Sequence, residues 1–109
     1  MILPIRSLML AAPGADAACS GAHDLQSRLI CADPELRTLD TEMRGLIARV
    51  RAETSGVDGE TGRPIDPIGA EQGRWSRHIA ARCHDRACLV AVYRQRIADI
   101  RKRWAEALS

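Results

Sequence analysis

Phenylalanine is absent from this chain, tyrosine occurs once and tryptophan twice in 109 residues. Such a sequence has few of the aromatic and β-branched residues that fill a sandwich core, and its aliphatic and alanine content suits closely packed helices instead. No apolar run is long enough to span a bilayer. No Cys-x-x-Cys pair offers a thioredoxin-type redox site, and no Gly-rich loop offers a phosphate cradle. His23, His78 and His84 have no Ser or Cys nucleophile at a recognisable spacing. A zinc site would have to draw on Cys83, His84 and Cys88 with Cys31 or His78, and the cysteine spacing sits at the loose end of the structural-zinc range. Neither an enzymatic activity nor a metal or other cofactor is expected.

One domain is all that this length supports, and its core is small enough to need staples. Charge is divided unevenly along it. Residues 18–69 hold six basic and nine acidic side chains, whereas residues 70–109 hold nine basic and four acidic. The basic residues are interleaved with acids around helices and form no block, so a solvated helix surface is the reading and nucleic acid is not the expected partner.

The organising stretch is Cys31-Ala-Asp-Pro-Glu-Leu. Asp33 is a helix N-cap, Pro34 fits the first helical position, and Glu35 complements the positive end of the helix dipole. Leu36, Leu39, Met43, Leu46 and Val50 then recur every three or four residues, which predicts an amphipathic helix from about Pro34 to Glu53. Ser55-Gly56 ends it, with Gly56 free to take the left-handed capping conformation. The Gly- and Pro-rich stretch from about 57 to 69 reads as a flexible connector. A second helix is expected from Ala70 to Arg82, with Trp75, Ile79 and Cys83 on one face. His84-Asp85 then turns the chain into a third, Ala87 to Leu108, which buries Leu89, Val92, Tyr93, Ile97, Ile100 and Trp104. The fold class expected is all-α: a small antiparallel three-helix bundle with a short N-terminal arm, started by His23 or Asp24 and stapled by disulfides.

Residues 1–18 resemble an export signal, with Arg6 as the charged region, a short apolar run and Ala15-Asp16-Ala17 as the cleavage site. The mature domain would be 19–109, periplasmic or secreted. Ala17-Ala18-Cys19 also raises lipidation at Cys19, which Asp16 opposes because that position favours an apolar residue. Four cysteines in a short exported chain imply two disulfides. Cys83 with Cys88 would lock the last hairpin, leaving Cys19 with Cys31. The competing arrangement carries Cys31 across to Cys83 or Cys88. Asp40 and Arg96 both fall on apolar stripes, so a pair between the first and third helices is expected. Asp40 with Arg44, four residues on, is the local alternative.

Cys19, then Ile30-Cys31-Ala32-Asp33-Pro34-Glu35-Leu36, Leu39-Asp40 and Glu42-Met43, is followed by Gln72, Trp75, Cys83, Cys88-Leu89, Tyr93 and Arg96-Ile97. This order and spacing resembles the LprI-like family, named for lysozyme inhibition, over about residues 19–100. The resemblance implies an exported, helical, disulfide-bonded protein whose partner is C-type lysozyme or another envelope protein. Where members carry Arg-Asp after the tryptophan, this chain has Ile79-Ala80. The acids near the cap, Glu35 and Glu42 foremost, are the expected contacts to a cationic partner.

Overall fold

The computed structural model describes Gly21 and residues 24–109. The export signal and Cys19 lie outside the described residues. The chain is mostly helical: α1 (Leu25–Ala32), α2 (Pro34–Thr54), α3 (Pro67–His78), a 3-10 turn (Ala80–Arg82), α4 (Arg86–Arg103) and α5 (Ala105–Leu108). There are thus five helices among the described residues where three and an arm were expected.

Aspartate starts each of the first four. Asp24 Oδ1 accepts from the Ser27 N–H at 2.7 Å, and Asp85 Oδ1 from the Cys88 N–H at 2.9 Å. Asp33 Oδ1 accepts from the Glu35 and Leu36 N–H groups at 2.9 and 3.1 Å, and Asp66 from Gly69 at 3.1 Å. Each removes one or two of the orphan donors of a first turn. Asp66-Pro67 repeats the Asp33-Pro34 device, so α3 starts three residues before the expected Ala70 and carries Ile68, completely buried, into the core. Its α-helical part stops at His78, short of Arg82, and one 3-10 turn finishes it. The third expected helix is broken at Trp104, whose ψ of 28° leaves the helical range and sets α5 apart.

The end of α2 differs from expectation. Ser55 caps it in an extended conformation, with its N–H and its Oγ both donating to the Arg51 carbonyl, at 2.9 and 2.6 Å. The serine hydroxyl supplies the capping bond, so Gly56 has no left-handed turn to make. It opens instead the strand β1 (Gly56–Val57), which pairs antiparallel with β2 (Pro64–Ile65). The connector is therefore a small hairpin. Its tip is closed by the Gly62 N–H donating to the Asp58 carbonyl at 2.8 Å, with Gly62 at φ 71°, where a glycine avoids the Cβ clash.

Contacts along the helices show their directions. Arg51 meets Asp66 and Gln72 meets Met43, so α2 and α3 run oppositely. Glu71 meets Arg103 and Trp75 meets Tyr93, so α3 and α4 do as well. Asp33 meets Arg86, Asp40 meets Tyr93 and Glu42 meets Arg101, so α2 and α4 run the same way. Between them lies an aliphatic core of Leu36, Met43, Leu46, Ile47, Val50, Ile68, Leu89, Ile97 and Ile100 around Trp75 and Tyr93.

Gly69 illustrates how tightly the α3 cap is built. A Cβ there would stand 2.1 Å from Asp66 Oδ2. Alanine normally gains up to about 1 kcal/mol over glycine in a helix, but here it would expel the capping carboxylate, worth about 1 kcal/mol. Gly69→Ala should therefore give no gain in the natural sequence, and should stabilise by roughly 0.5–1 kcal/mol in an Asp66→Ala background. Urea denaturation of the four variants measures this difference.

Candidate functional site

Arg96 is the charged residue that the core encloses, with 3% of its side chain exposed. It projects from α4 toward α3. There Nε donates to Gln72 Oε1 at 2.9 Å and Nη1 to Glu71 Oε1 at 2.7 Å, with Asp99 Oδ2 farther off at 3.5 Å. Glu71, 12% exposed, also meets Arg103 Nη2 at 2.8 Å through its other oxygen and accepts a long bond, 3.4 Å, from Trp104 Nε1. Burial pushes the Glu71 carboxyl up, but the hydrogen bonds from Arg96 and Trp104 and the charges of Arg96 and Arg103 outweigh it and hold it below its ordinary value. Arg96 Nη2 is buried and has no hydrogen-bond partner among the described residues.

The expected Asp40–Arg96 pair does not form. Asp40 accepts from the Tyr93 hydroxyl at 2.9 Å and from Arg44 Nε at 2.7 Å, which is the local alternative with a tyrosine added. Tyr93 and Arg96 are three residues apart on a helix that faces both α2 and α3. Tyrosine takes the Asp40 side, and the arginine takes the side where Glu71 stands. Burial, then the Asp40 charge, raises the Tyr93 hydroxyl well above its ordinary value. The Tyr93 ring stands edge-on to Trp75, centroids 5.3 Å apart at 85°, a favoured aromatic geometry.

A cleft of about 380 Å³ opens between α3 and α4 beside this network, and Arg74, Trp75, Ile79, Val92 and Arg96 are among the residues lining it. Ile79 is 47% exposed there. Arg74 has no ion pair among the described residues. Of the sequence motif, Trp75 and Arg96 line the cleft, with Gln72 bonded to Arg96 and Tyr93 edge-on to Trp75. Leu36 and Leu39 serve the core, and Asp33 and Pro34 the cap of α2.

The acids expected to meet a partner are occupied within the chain. Asp33 and Glu35 both bind Arg86, Glu35 also binds Arg94, and Glu42 Oε2 meets Arg101 Nη2 at 2.9 Å. The hydrogen bond from Arg86, then that from the Leu36 N–H, holds the Asp33 carboxyl below its ordinary value. The basic α4 and the acidic start of α2 thus neutralise one another across their interface.

Sequence reasoning missed Glu71, Asp99 and Arg103. Glu71 was open to discovery, since it precedes Trp75 by four residues and extends the Trp75, Ile79, Cys83 stripe. Cys83 and Cys88 are bonded, Cα atoms 5.4 Å apart. Cys31 is disulfide-bonded as well, and as neither Cys83 nor Cys88 is its partner, the crossed arrangement does not hold. The Cys19 end of the other expected bridge falls outside the described residues. Among the described residues, no helix is long and apolar enough to cross a membrane, and no group of three or more His, Cys, Asp or Glu side chains could hold a metal ion. The fold and the cleft define a small, mostly helical, disulfide-bonded protein with a buried arginine at an interhelical cleft. No family model, curated protein or solved structure matches the chain.

Proposed function

We propose that this chain is a small exported binding protein of LprI-like type, which captures its partner in the α3–α4 cleft. In this reading α2, α3 and α4 form an antiparallel three-helix bundle as a rigid frame, and α1 and α5 are appended to it. The supporting observation is the cleft itself, where Arg96 keeps one buried donor unused beside the exposed Ile79. The acids at the start of α2 support the reading by elimination, because Arg86, Arg94 and Arg101 already engage Asp33, Glu35 and Glu42. A disulfide-bonded chain without a membrane-spanning helix among its described residues fits a periplasmic or secreted location.

The LprI-like resemblance makes lysozyme inhibition the activity to test. Oxidised chain should inhibit C-type lysozyme on cell-wall substrate at micromolar concentration, and a reduced, alkylated control should not. Arg74→Glu should weaken inhibition roughly 10-fold or more by setting a carboxylate where the cleft offers a donor to an acidic group of the partner, although the partner as a whole is cationic. Glu35→Gln should change it less than about twofold, since that carboxylate is spoken for by two arginines. Loss with Glu35→Gln and none with Arg74→Glu would move the interface to the α2 cap. Absence of inhibition by folded protein would favour the second reading, an envelope interaction module acting through the basic C-terminal half.

A further inference from the structure

Arg96 holds its guanidinium in the core with two of its three nitrogens engaged. Nε and Nη1 are bonded to Gln72 and Glu71, and Nη2 donates to nothing among the described residues. A buried donor left unmade is costly, more so on a charged group, so an acceptor reaching it would recover that cost. The cleft that Arg96 lines combines cationic donors with apolar side chains. Arg74, without an ion pair among the described residues, stands with Trp75 and the exposed Ile79 on the α3 side, and Arg96 with Val92 on α4, where the carboxylates Glu71 and Asp99 and the cation Arg103 also reach the lining. Guanidinium groups match a carboxylate in charge and in planar geometry, while Trp75, Ile79 and Val92 suit a hydrocarbon side chain. At about 380 Å³ the cleft is of small-molecule size. The longest of the Arg96 contacts is that to Asp99, 3.5 Å from Nη1 and 39% exposed. Asp99 leaves Nη2 free but puts a negative charge beside it, which opposes an incoming acid.

We propose that the α3–α4 cleft binds an α-carboxylate carrying an apolar side chain, the chemistry of an acylated amino acid or of a peptide's last residue. The carboxylate accepts from Arg96 and Arg74, and the side chain lies against Trp75 and Ile79. This rests on the cleft being the binding face and adds the class of ligand.

Full-length oxidised protein is titrated with N-acetyl-leucine, with N-acetyl-leucinamide and with a pentapeptide ending in leucine, following tryptophan fluorescence and amide NMR shifts. The acid should bind at least about 10-fold more tightly than the amide, the worth of one charge-assisted hydrogen bond. Tighter binding of the peptide assigns the natural source to a chain terminus, and equal binding assigns it to the free acylated amino acid. Arg74→Gln should weaken the acid roughly 5-fold and Ile79→Asp roughly 10-fold or more, whereas Asp99→Asn should tighten it about 3-fold by removing a like charge. All three positions are partly or fully exposed, so unchanged melting temperatures would separate binding from folding. A purely structural network would not tighten with Asp99→Asn. Equal binding of acid and amide, or no shift up to about 10 mM of either, overturns the proposal and leaves the cleft to solvent. Arg74-dependent lysozyme inhibition without acid binding would retain the cleft and discard the ligand class. Acid binding without inhibition would do the reverse for the partner.

Discussion

Glu71→Ala is expected to lower stability by about 3 kcal/mol, toward the low end of the cost of stranding one member of a buried ion pair. The reason is the position of Arg96. With 3% exposure it cannot turn to water, and without Glu71 it would keep only Gln72 and the distant Asp99. The melting temperature should fall by upward of about 10 °C in a domain this size. Arg96→Met should cost far less, within about 1 kcal/mol, because the methionine fills the arginine stem's space and the carboxylate left behind is not stranded without a partner. Glu71 is then still bonded to Arg103 and Trp104, with 12% exposure to solvent. The double variant Glu71→Ala with Arg96→Met should recover most of the lost stability, which a double-mutant cycle in urea reads directly. Equal losses in both single variants would mean that the arginine matters for packing and not as a charge awaiting its partner.

Acid titration offers a second reading of the same pair. The Glu71 carboxyl is held below its ordinary 4.5 in the folded chain. A lowered carboxylate contributes stability that is present above the unfolded value and is lost as pH falls through the folded one. Stability of the natural sequence should therefore decline below pH 4.5, and the decline should be shallower in Glu71→Gln. Asp33 and Asp66 add to the decline in the same direction, through their bonds from Arg86 and Arg51 respectively.

What was legible in the sequence was local. Asp33-Pro34 announced α2, the Leu36 to Val50 stripe announced its buried face, and Cys83 with Cys88 announced the staple, because each signal is complete within a few residues of chain. Asp66-Pro67 carries the same capping chemistry, yet it lies among glycines and prolines that also suit a loop, and Ile68 has no apolar neighbour on its own helix face before Trp75. The break at Trp104 follows from how α5 packs back on α2, where Arg49 meets the Leu108 carbonyl at 2.8 Å, and nothing local marks it. Arg96 could be recognised as a charge on an apolar stripe. Its partner could not, since choosing Glu71 over Asp40 depends on the rotation of α4 between two neighbours. The same limit hid the candidate site: Arg74, Trp75 and Ile79 lie on one helix, but only the approach of Val92 and Arg96 makes them a cleft.

Replacing both Cys83 and Cys88 with alanine should cost about 2 kcal/mol, nearly all of it through the unfolded chain. The bridge joins residues five apart, and closing so short a loop removes less chain entropy than a long one does, giving about 2 kcal/mol in the entropic model. The corresponding fall in melting temperature is roughly 8–16 °C. In the folded state the substitution should be felt only nearby. Asp85 sits inside the loop and caps α4 through the Cys88 N–H, and Arg86 beside it carries the bonds to Asp33 and Glu35. Amide shifts should therefore change around residues 80–90 and at the start of α2, while the Glu71–Arg96 network and N-acetyl-leucine binding persist. Asp85→Ala, which deletes the cap and leaves the bridge, should cost about 1 kcal/mol. Were the bridge acting on the unfolded chain alone, the two losses would add. If the bridge instead holds Asp85 in place, the cap substitution should cost measurably less once the cysteines are gone. A loss well beyond 2 kcal/mol for the double alanine variant, with shifts spreading to Tyr93 and Trp75, would show that the staple positions α4 against α3 and so shapes the cleft itself.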